Sequence, residues 1–506
     1  MAAIFAGVAA LVLFGAGLAN VDLWAPDEPR YAAIAEELRS GRHGAGGLAL
    51  LHLGDAPYSQ KPPLYFWLAA AFGAASGRVD ALAARLPSAL AGVACVFGTL
   101  WIARRLRWPI GTALLAAALL ATSFRFAFTA RRAQLDVLLC AFELLAVAVF
   151  VALETRRSDE TEAGAEAGAA PRFAPAPIAL LHAALGAAAL VKGPVAWLPL
   201  AVFAVFLAWE GRPGAFRALV PAWSWLLSIG PLLIWIASAT ALAPEGFARD
   251  AVGTNVFARF FAGSSHARPF YYYAYQLPLD FLPWSLLFPL AATSLARSLR
   301  ARPAQPGWSE RTTARLLASW ILVPLAFFSV SAGKRGLYLL PIFPALALAC
   351  ALAWTRAATA GDGSPGVAPR AARRARIRFG VVAAVALLEL AGFLLVFPHL
   401  DPEKSPRPIA EAIAARSGAG EAVALFGLRP LEGAIPYYGA RPVRGIGSEA
   451  EALQFFEAGG NLILLRARDF DRLRDSLVLE AVERFRSGRR ELVLARRAAP
   501  DPTSAP

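Results

Sequence analysis

Cysteine is scarce in this chain of 506 residues, with three in all (Cys95, Cys140 and Cys350), each inside an apolar run. They give neither a disulfide framework nor a metal-spaced cluster. Charge is scarce as well. Asp, Glu, Lys and Arg make up 17% of the chain, hydrophobic residues 57%, and mean hydropathy is +0.50. Soluble globular domains carry about 25% charged residues, so the balance points to a polytopic helical membrane protein. The net charge of +14 does not make it a nucleic-acid binder. Its arginines sit in short clusters between apolar runs, where the positive-inside rule puts cytoplasmic loops.

What is present is a series of apolar runs near bilayer-crossing length. Residues 2–19 lack a basic leader and are expected to be a first membrane helix rather than a signal peptide. Further spans are expected near 82–103, 109–128, 136–153, 177–191, 194–209, 219–239, 273–295, 313–330, 336–354 and 379–397. That reading has 11 spans, in an all-α polytopic domain of about 11–13. Residues 20–61 form a long outer loop. The 16 residues 62–77 are apolar but short, and are read as a helix dipping into the outer leaflet. Four basic loops, at Arg104/Arg105/Arg107, Arg212/Arg217, Arg297–Arg315 and Arg356–Arg378, are assigned to the cytoplasm.

The membrane domain is expected over 1–397. From 398 to 506 the pattern changes. AVALF (422–426) and NLILLRA (461–467) alternate like strands, and 409–418 and 450–460 read as amphipathic helices ending at glycine. This is a small soluble α/β domain without a phosphate-binding glycine loop.

Threaded this way, the polar motifs collect on the outer face: WAPDEPRY (24–31), YSQKPPLYFW (58–67), TARRAQLD (129–136), the loop around 245–272, and SAGKRGLYLLP (331–341). Polar groups at a bilayer edge are costly unless paired or solvated, so a one-sided accumulation suggests a site. Pro29 suits a first helical position, with Glu28 as the cap of a surface helix. Lys61 reads as a lipid-headgroup anchor or as a ligand for a phosphate, and Arg131, Arg132, Lys192 and Lys334 read as anchors. Asp136 reads as a helix cap or the partner of an arginine.

In their order along the chain, DEPRYA (27–32), KPPLYFW (61–67), RLPSAL (85–90), Asp136, VKGP (191–194), RPFYYY (268–273), LPW (282–284) and GKRGLYLLP (333–341) resemble the C-type (GT-C) glycosyltransferases of the protein O-mannosyltransferase superfamily. Within it they are most similar to the bacterial aminoarabinose transferases that modify lipid A. The resemblance implies transfer of a sugar from a polyprenyl-phosphate carrier to a lipid A-like lipid, a protein or a glycan. The reaction would take place on the periplasmic face of the inner membrane, with the C-terminal domain on that side. It makes Asp27 and Asp136 the catalytic carboxylates. It sets Arg30, Tyr31, Tyr58, Lys61 and Tyr338 around the carrier phosphate, with Lys334 and Asn255 completing the expected set. Gln60 and Asn255 stand where that subgroup tends to carry Glu and His associated with a metal ion. Gln and Asn are poor metal ligands beside Glu and His, so neither metal nor other cofactor is expected. Two other classes stay in view: a polytopic transporter or flippase, and a membrane scaffold bearing a sensor domain.

Overall fold

The computed structural model describes residues 2–162, 173–245, 247, 267–301, 307–359, 367–488 and 490–498. The first helices are α1 (Ala2–Gly15), α2 (Asp27–Ser40), α3 (Leu64–Ser76), α4 (Ala81–Arg105), α5 (Ile110–Ala121), α6 (Phe124–Ala130), α7 (Leu135–Glu162), α8 (Pro175–Lys192) and α9 (Leu198–Trp209). The chain divides into two compact units.

One unit comprises Met1–Ala16, Ser59–Tyr65 and Pro87–Ala391. Long apolar runs become helices here because lipid offers the backbone no hydrogen bonds. Among the described residues, six helical stretches are long and apolar enough to cross a bilayer, or up to nine if each bent pair is one span. The expected 11 is larger for identifiable reasons. The first expected span yields α1, of only 14 residues. Three other expected spans are bent pairs: α5 with α6 at 67°, Ala222–Ser228 with Gly230–Leu242 at 51°, and Tyr272–Asp280 with Trp284–Arg300 at 113°. The 13 residues of α3 reach about 20 Å, short of a ~30 Å hydrocarbon core.

The stretch Pro175–Trp209 is helical over 35 residues, yet it reverses, because α8 packs along α7 while ion pairs set the end of α8 and the end of α9 at opposite ends of α7. Lys192, the last residue of α8, pairs with Asp136 at the start of α7. Arg212, just beyond α9, pairs at 2.5 Å with Glu154 near the end of α7. Eighteen residues of α7 separate those carboxylates, about 27 Å. The chain therefore turns back at Gly193 (φ 75°), and α8 and α9 are two antiparallel arms, as the sequence suggested.

The same logic gathers the basic loops. Arg107 meets Asp159, Arg212 meets Glu154, Arg315 meets Glu210 and Arg356 meets Glu310. These pairs link the segments around 107, 154–159, 210–212, 310–315 and 356 at one end of the unit. Asp136 and Lys192 lie at the other end.

The second unit comprises Gly17–Tyr58, Phe66–Leu86 and Gly392–Pro506. Its N-terminal part contains α2 and a short hairpin of β1 (His52–Leu53) and β2 (Ala56–Pro57). Its C-terminal part is a five-stranded sheet of β3 (Val423–Phe426), β4 (Val443–Ile446), β5 (Leu462–Arg466), β6 (Leu479–Ser487) and β7 (Arg490–Arg497). The strand order is β4-β3-β5-β7-β6, parallel across β4, β3 and β5, with β7 antiparallel to both of its neighbours, β5 and β6. Alternation along the strands supplies two cores. Ala424, Ile463, Leu465 and Val493 pack with Phe455, Phe456 and Phe470. Val423, Leu425, Leu464 and Leu494 pack with Ile409, Ile413 and Ile435. The strands expected at 422–426 and 461–467 are β3 and β5. The expected amphipathic helices are Arg407–Ala414 and Glu449–Glu457.

Candidate functional site

In the second unit the DEPRY motif is held by one buried arginine. Arg85, near the start of α4, donates from Nε and Nη2 to the two carboxylate oxygens of Glu28 at 2.9 and 3.0 Å. Its Nη1 donates to the carbonyls of Leu18 and Val21, and its Nη2 to that of Asp22. Glu28 accepts in addition the Trp24 backbone N–H at 3.0 Å. The side chains of Arg85 and Glu28 are 3% and 0% exposed. A paired guanidinium presents its donors in a rigid fork, so this clasp fixes loop 17–26 and the entry into α2. Glu28 is therefore not the cap of a surface helix. The residue before α2, Pro26, makes no side-chain cap bond, and Tyr31, Ala32, Ala33, Ile34 and Ala35 are buried.

The C-terminal segment secures the same loop. The Asp22 N–H donates to both oxygens of Asp401, and Trp24 Nε1 donates to Asp401 Oδ1 at 2.6 Å. The Leu23 N–H donates to the Tyr438 hydroxyl at 2.6 Å, and the Tyr437 hydroxyl donates to the Val79 carbonyl at 2.8 Å. Burial pushes both phenols up from their ordinary value, so they stay neutral donors.

Asp27 and Arg30 share the first turn of α2. They lie 3.9 Å apart, each side chain 12% exposed. Arg30 Nη2 also donates to the Arg429 carbonyl at 3.4 Å. Burial raises the nearby Glu432 carboxyl, while Arg30 and Arg429 pull it down. Tyr31 and Tyr58 are buried with their rings edge-on to Phe66, at 5.5 and 5.8 Å between centroids.

In the helical unit, Asp136 pairs with Lys192, and the Lys192 ammonium lies 4.7 Å from the centroid of Tyr338. The expectation of a cap or an arginine partner for Asp136 gives way to this lysine. The 192 position had been read only as an anchor. Arg131 is not a headgroup anchor either. It is buried and donates to the carbonyls of Leu13 and Ala16, closing the end of α1. Lys334 is buried and donates to the carbonyls of Ser331 and Arg268. It ties the RPFYYY and GKRG segments together beside an Ala267–Gly333 bridge. Asp280 accepts from Arg125 Nε and from Gln276 Nε2, both at 2.8 Å. A Cβ on Gly336 would lie 2.2 Å from Asp280 Oδ2, so the second glycine of GKRG makes room for that carboxylate. Lys61 is half-buried in the turn before α3. Asn255 lies outside the described residues.

The structure thus brings Asp27, Arg30, Tyr31 and Tyr58 into one unit, and Lys61, Asp136, Tyr338 and Lys334 into the other. Sequence reasoning quoted Arg85, Lys192 and Glu28 inside motifs without giving them these partners. The signal was there for Arg85, an arginine inside an otherwise apolar helix. Among the described residues no group of three or more His, Cys, Asp or Glu is placed to hold a metal ion.

Residues 17–250 match the family model described as dolichyl-phosphate-mannose-protein mannosyltransferase. The chain is 32% identical over 345 residues to the undecaprenyl phosphate-alpha-4-amino-4-deoxy-L-arabinose arabinosyl transferase of Pseudomonas aeruginosa, covering 65% of this chain and 55% of that protein. The corresponding protein of Erwinia tasmaniensis is 28% identical over 382 residues, covering 72% and 61%. The chain thus spans little more than half the length of the curated relatives it matches. Among solved structures, ArnT from Cupriavidus metallidurans bound to undecaprenyl phosphate superposes with a TM-score of 0.71 at 20% identity, over 97% of both chains. The Archaeoglobus fulgidus oligosaccharyltransferase gives 0.59 at 12% identity, over 92% of this chain and 68% of that one. The resemblance carried by DEPRYA and KPPLYFW is the one found. The chain resembles the aminoarabinose transferases and has the C-type glycosyltransferase fold, a multi-pass membrane protein with a small C-terminal sheet.

Proposed function

We propose that this chain is a membrane glycosyltransferase. It takes a sugar from a polyprenyl-phosphate carrier and passes it to a lipid A-like lipid, protein or glycan acceptor at the periplasmic face of the bacterial inner membrane. The observation that carries the reading is the division of labour within DEPRYA. Glu28 is sealed against Arg85, while its neighbours Asp27 and Arg30 keep some exposure at the head of a rigidly held helix. A fixed carboxylate beside a cation is what acceptor activation requires. The gathering of arginine-rich loops at one end of the helical unit supports a periplasmic assignment for the Asp136 end.

In the proposed mechanism Asp27 accepts the proton of an acceptor hydroxyl as its oxygen attacks the anomeric carbon. The bond from that carbon to the carrier phosphate oxygen breaks, and the phosphate departs with the electron pair. Arg30 stabilises the departing charge beside Asp27, with Tyr31 and Tyr58 ordering its surroundings, and the family resemblance assigns Lys61 and Tyr338 to the carrier phosphate as well. Lys334 acts through the backbone it ties down. Asp136 holds Lys192 in place, and Asn255 joins the carrier site. One displacement without an enzyme nucleophile inverts the configuration. Cationic side chains, rather than a metal, serve the phosphate.

The test is a transfer assay in detergent with purified undecaprenyl-phosphate sugar and a lipid acceptor. Asp27→Asn should cut turnover about a hundredfold or more with unchanged thermal stability, and normal turnover would refute the assignment. Lys61→Ala should raise the donor KM. The three bent helix pairs are a feature a transporter would share. Transfer in detergent, where no bilayer separates two compartments, separates the two readings.

A further inference from the structure

The second unit contains a cleft of ≈ 850 Å³ on the face of α2 formed by Ala33, Glu36, Glu37 and Ser40. The cleft is distinct from the Asp27–Arg30 turn. Its other walls come from residues 78–81 and from the C-terminal segment around Tyr437 and Tyr438. Six carboxylates line it (Asp22, Glu36, Glu37, Asp55, Asp80 and Glu411). Four arginines face them (Arg42, Arg78, Arg407 and Arg441). Several of these charges are paired. Arg42 pairs with Asp55 at 2.8 Å, Arg407 with Glu411 at 2.6 Å, and Glu36 accepts the Val79 N–H at 2.7 Å. Prolines and tyrosines (Pro436, Pro442, Tyr437, Tyr438) fill the gaps.

A lining with two more carboxylates than arginines repels a polyphosphate. Donors and acceptors held in pairs beside tyrosine and proline rings instead suit a neutral ligand rich in hydroxyl groups, and a carboxylate excess favours an amine on it. Along α2, residues 33–40 lie about 9–20 Å from Asp27. We propose that this cleft binds the saccharide part of the acceptor, a neutral or amine-bearing glycan, at a distance from the sugar-accepting hydroxyl. The inference rests on the glycosyltransferase reading for its biological sense, but the binding can be measured without catalysis.

The experiment uses the full chain in detergent micelles and the deacylated, dephosphorylated glucosamine disaccharide of lipid A, which carries two free amines, as probe. Titration calorimetry should show binding that inorganic phosphate at equal concentration does not displace. Ser40→Trp, which fills the cleft from an exposed position, and Arg78→Ala, an exposed arginine, should each weaken binding about tenfold. Both should raise the KM for intact lipopolysaccharide by a similar factor, leaving kcat and the donor KM unchanged. Unchanged probe affinity in both variants, or displacement by phosphate, would overturn the proposal. If the chain binds the probe but Asp27→Asn transfers normally, the catalytic assignment fails while the cleft stands.

Discussion

The two ends of the helical unit are both rich in ion pairs, but the most exposed pairs lie at one of them. At the arginine-rich end, Arg107 and Asp159 are 65% and 39% exposed and Arg356 and Glu310 are 32% and 68% exposed, beside the more buried pairs Arg212–Glu154 and Arg315–Glu210. At the other end Asp136 and Lys192 are 9% and 13% exposed, and Asp280 is 3% exposed beside Arg125. Exposed pairs contribute little to stability, whereas breaking a buried one strands a charge away from water. The first end mixes solvent-facing pairs with one sealed carboxylate, Glu154. The second holds particular side chains in fixed places, as a chemical site needs.

The comparison can be broken by substitution. Asp136→Ala strands the Lys192 ammonium and should cost about 3–5 kcal/mol, read as a lower melting temperature together with loss of transfer. The double variant Asp136→Asn/Lys192→Met should recover much of the stability and none of the activity, as a double-mutant cycle would report. Lys334→Ala removes the donor to the Ser331 and Arg268 carbonyls, the first of them buried, a loss of about 1–3 kcal/mol measurable by denaturation. At the exposed end, Arg107→Ala should change stability by less than about 1 kcal/mol. A large loss there would erase the distinction between the ends.

A half-buried group in the second unit extends the scale. His43 and His52 stack 3.8 Å apart, and His43 Nε2 contacts Glu37 at 2.6 Å. Burial, and then His43, hold His52 below its ordinary 6.5. Between its folded value and 6.5 the unfolded chain binds more protons, so stability rises with pH through that window and falls as pH drops below 6.5. His52→Gln should flatten that part of the stability profile, and an unaltered profile would remove His52 as the cause.

Much of this architecture was legible in the chain. Continuous apolar runs marked the helical spans because lipid leaves them no alternative to internal hydrogen bonding. Alternation marked β3 and β5, and DEPRYA and KPPLYFW marked the family resemblance. The pairings were not legible. Glu28 and Asp27 are adjacent acids in one motif, and nothing local says that one is sealed and the other is not. That depends on Arg85, 57 residues further along the chain. Lys192 looked like any lysine at a helix end until Asp136 was set opposite it. Helix bends escaped for a similar reason. The Thr122–Ser123 break is held by Trp284, whose Nε1 donates to the Thr122 carbonyl at 2.9 Å, a contact across 162 residues that periodicity cannot register.

One small feature constrains how such chains can be recombined. A Cβ on Gly433 would stand 2.3 Å from the Arg30 Cα, so the helix Ala434–Gly439 begins with its backbone directly against the DEPRY turn. The C-terminal module is thus keyed to its own motif like a tooth in a notch. A graft from a homologue would seat only if it brought a residue without a side chain to that notch. Swapping this module to alter acceptor choice would have to start by matching that single position.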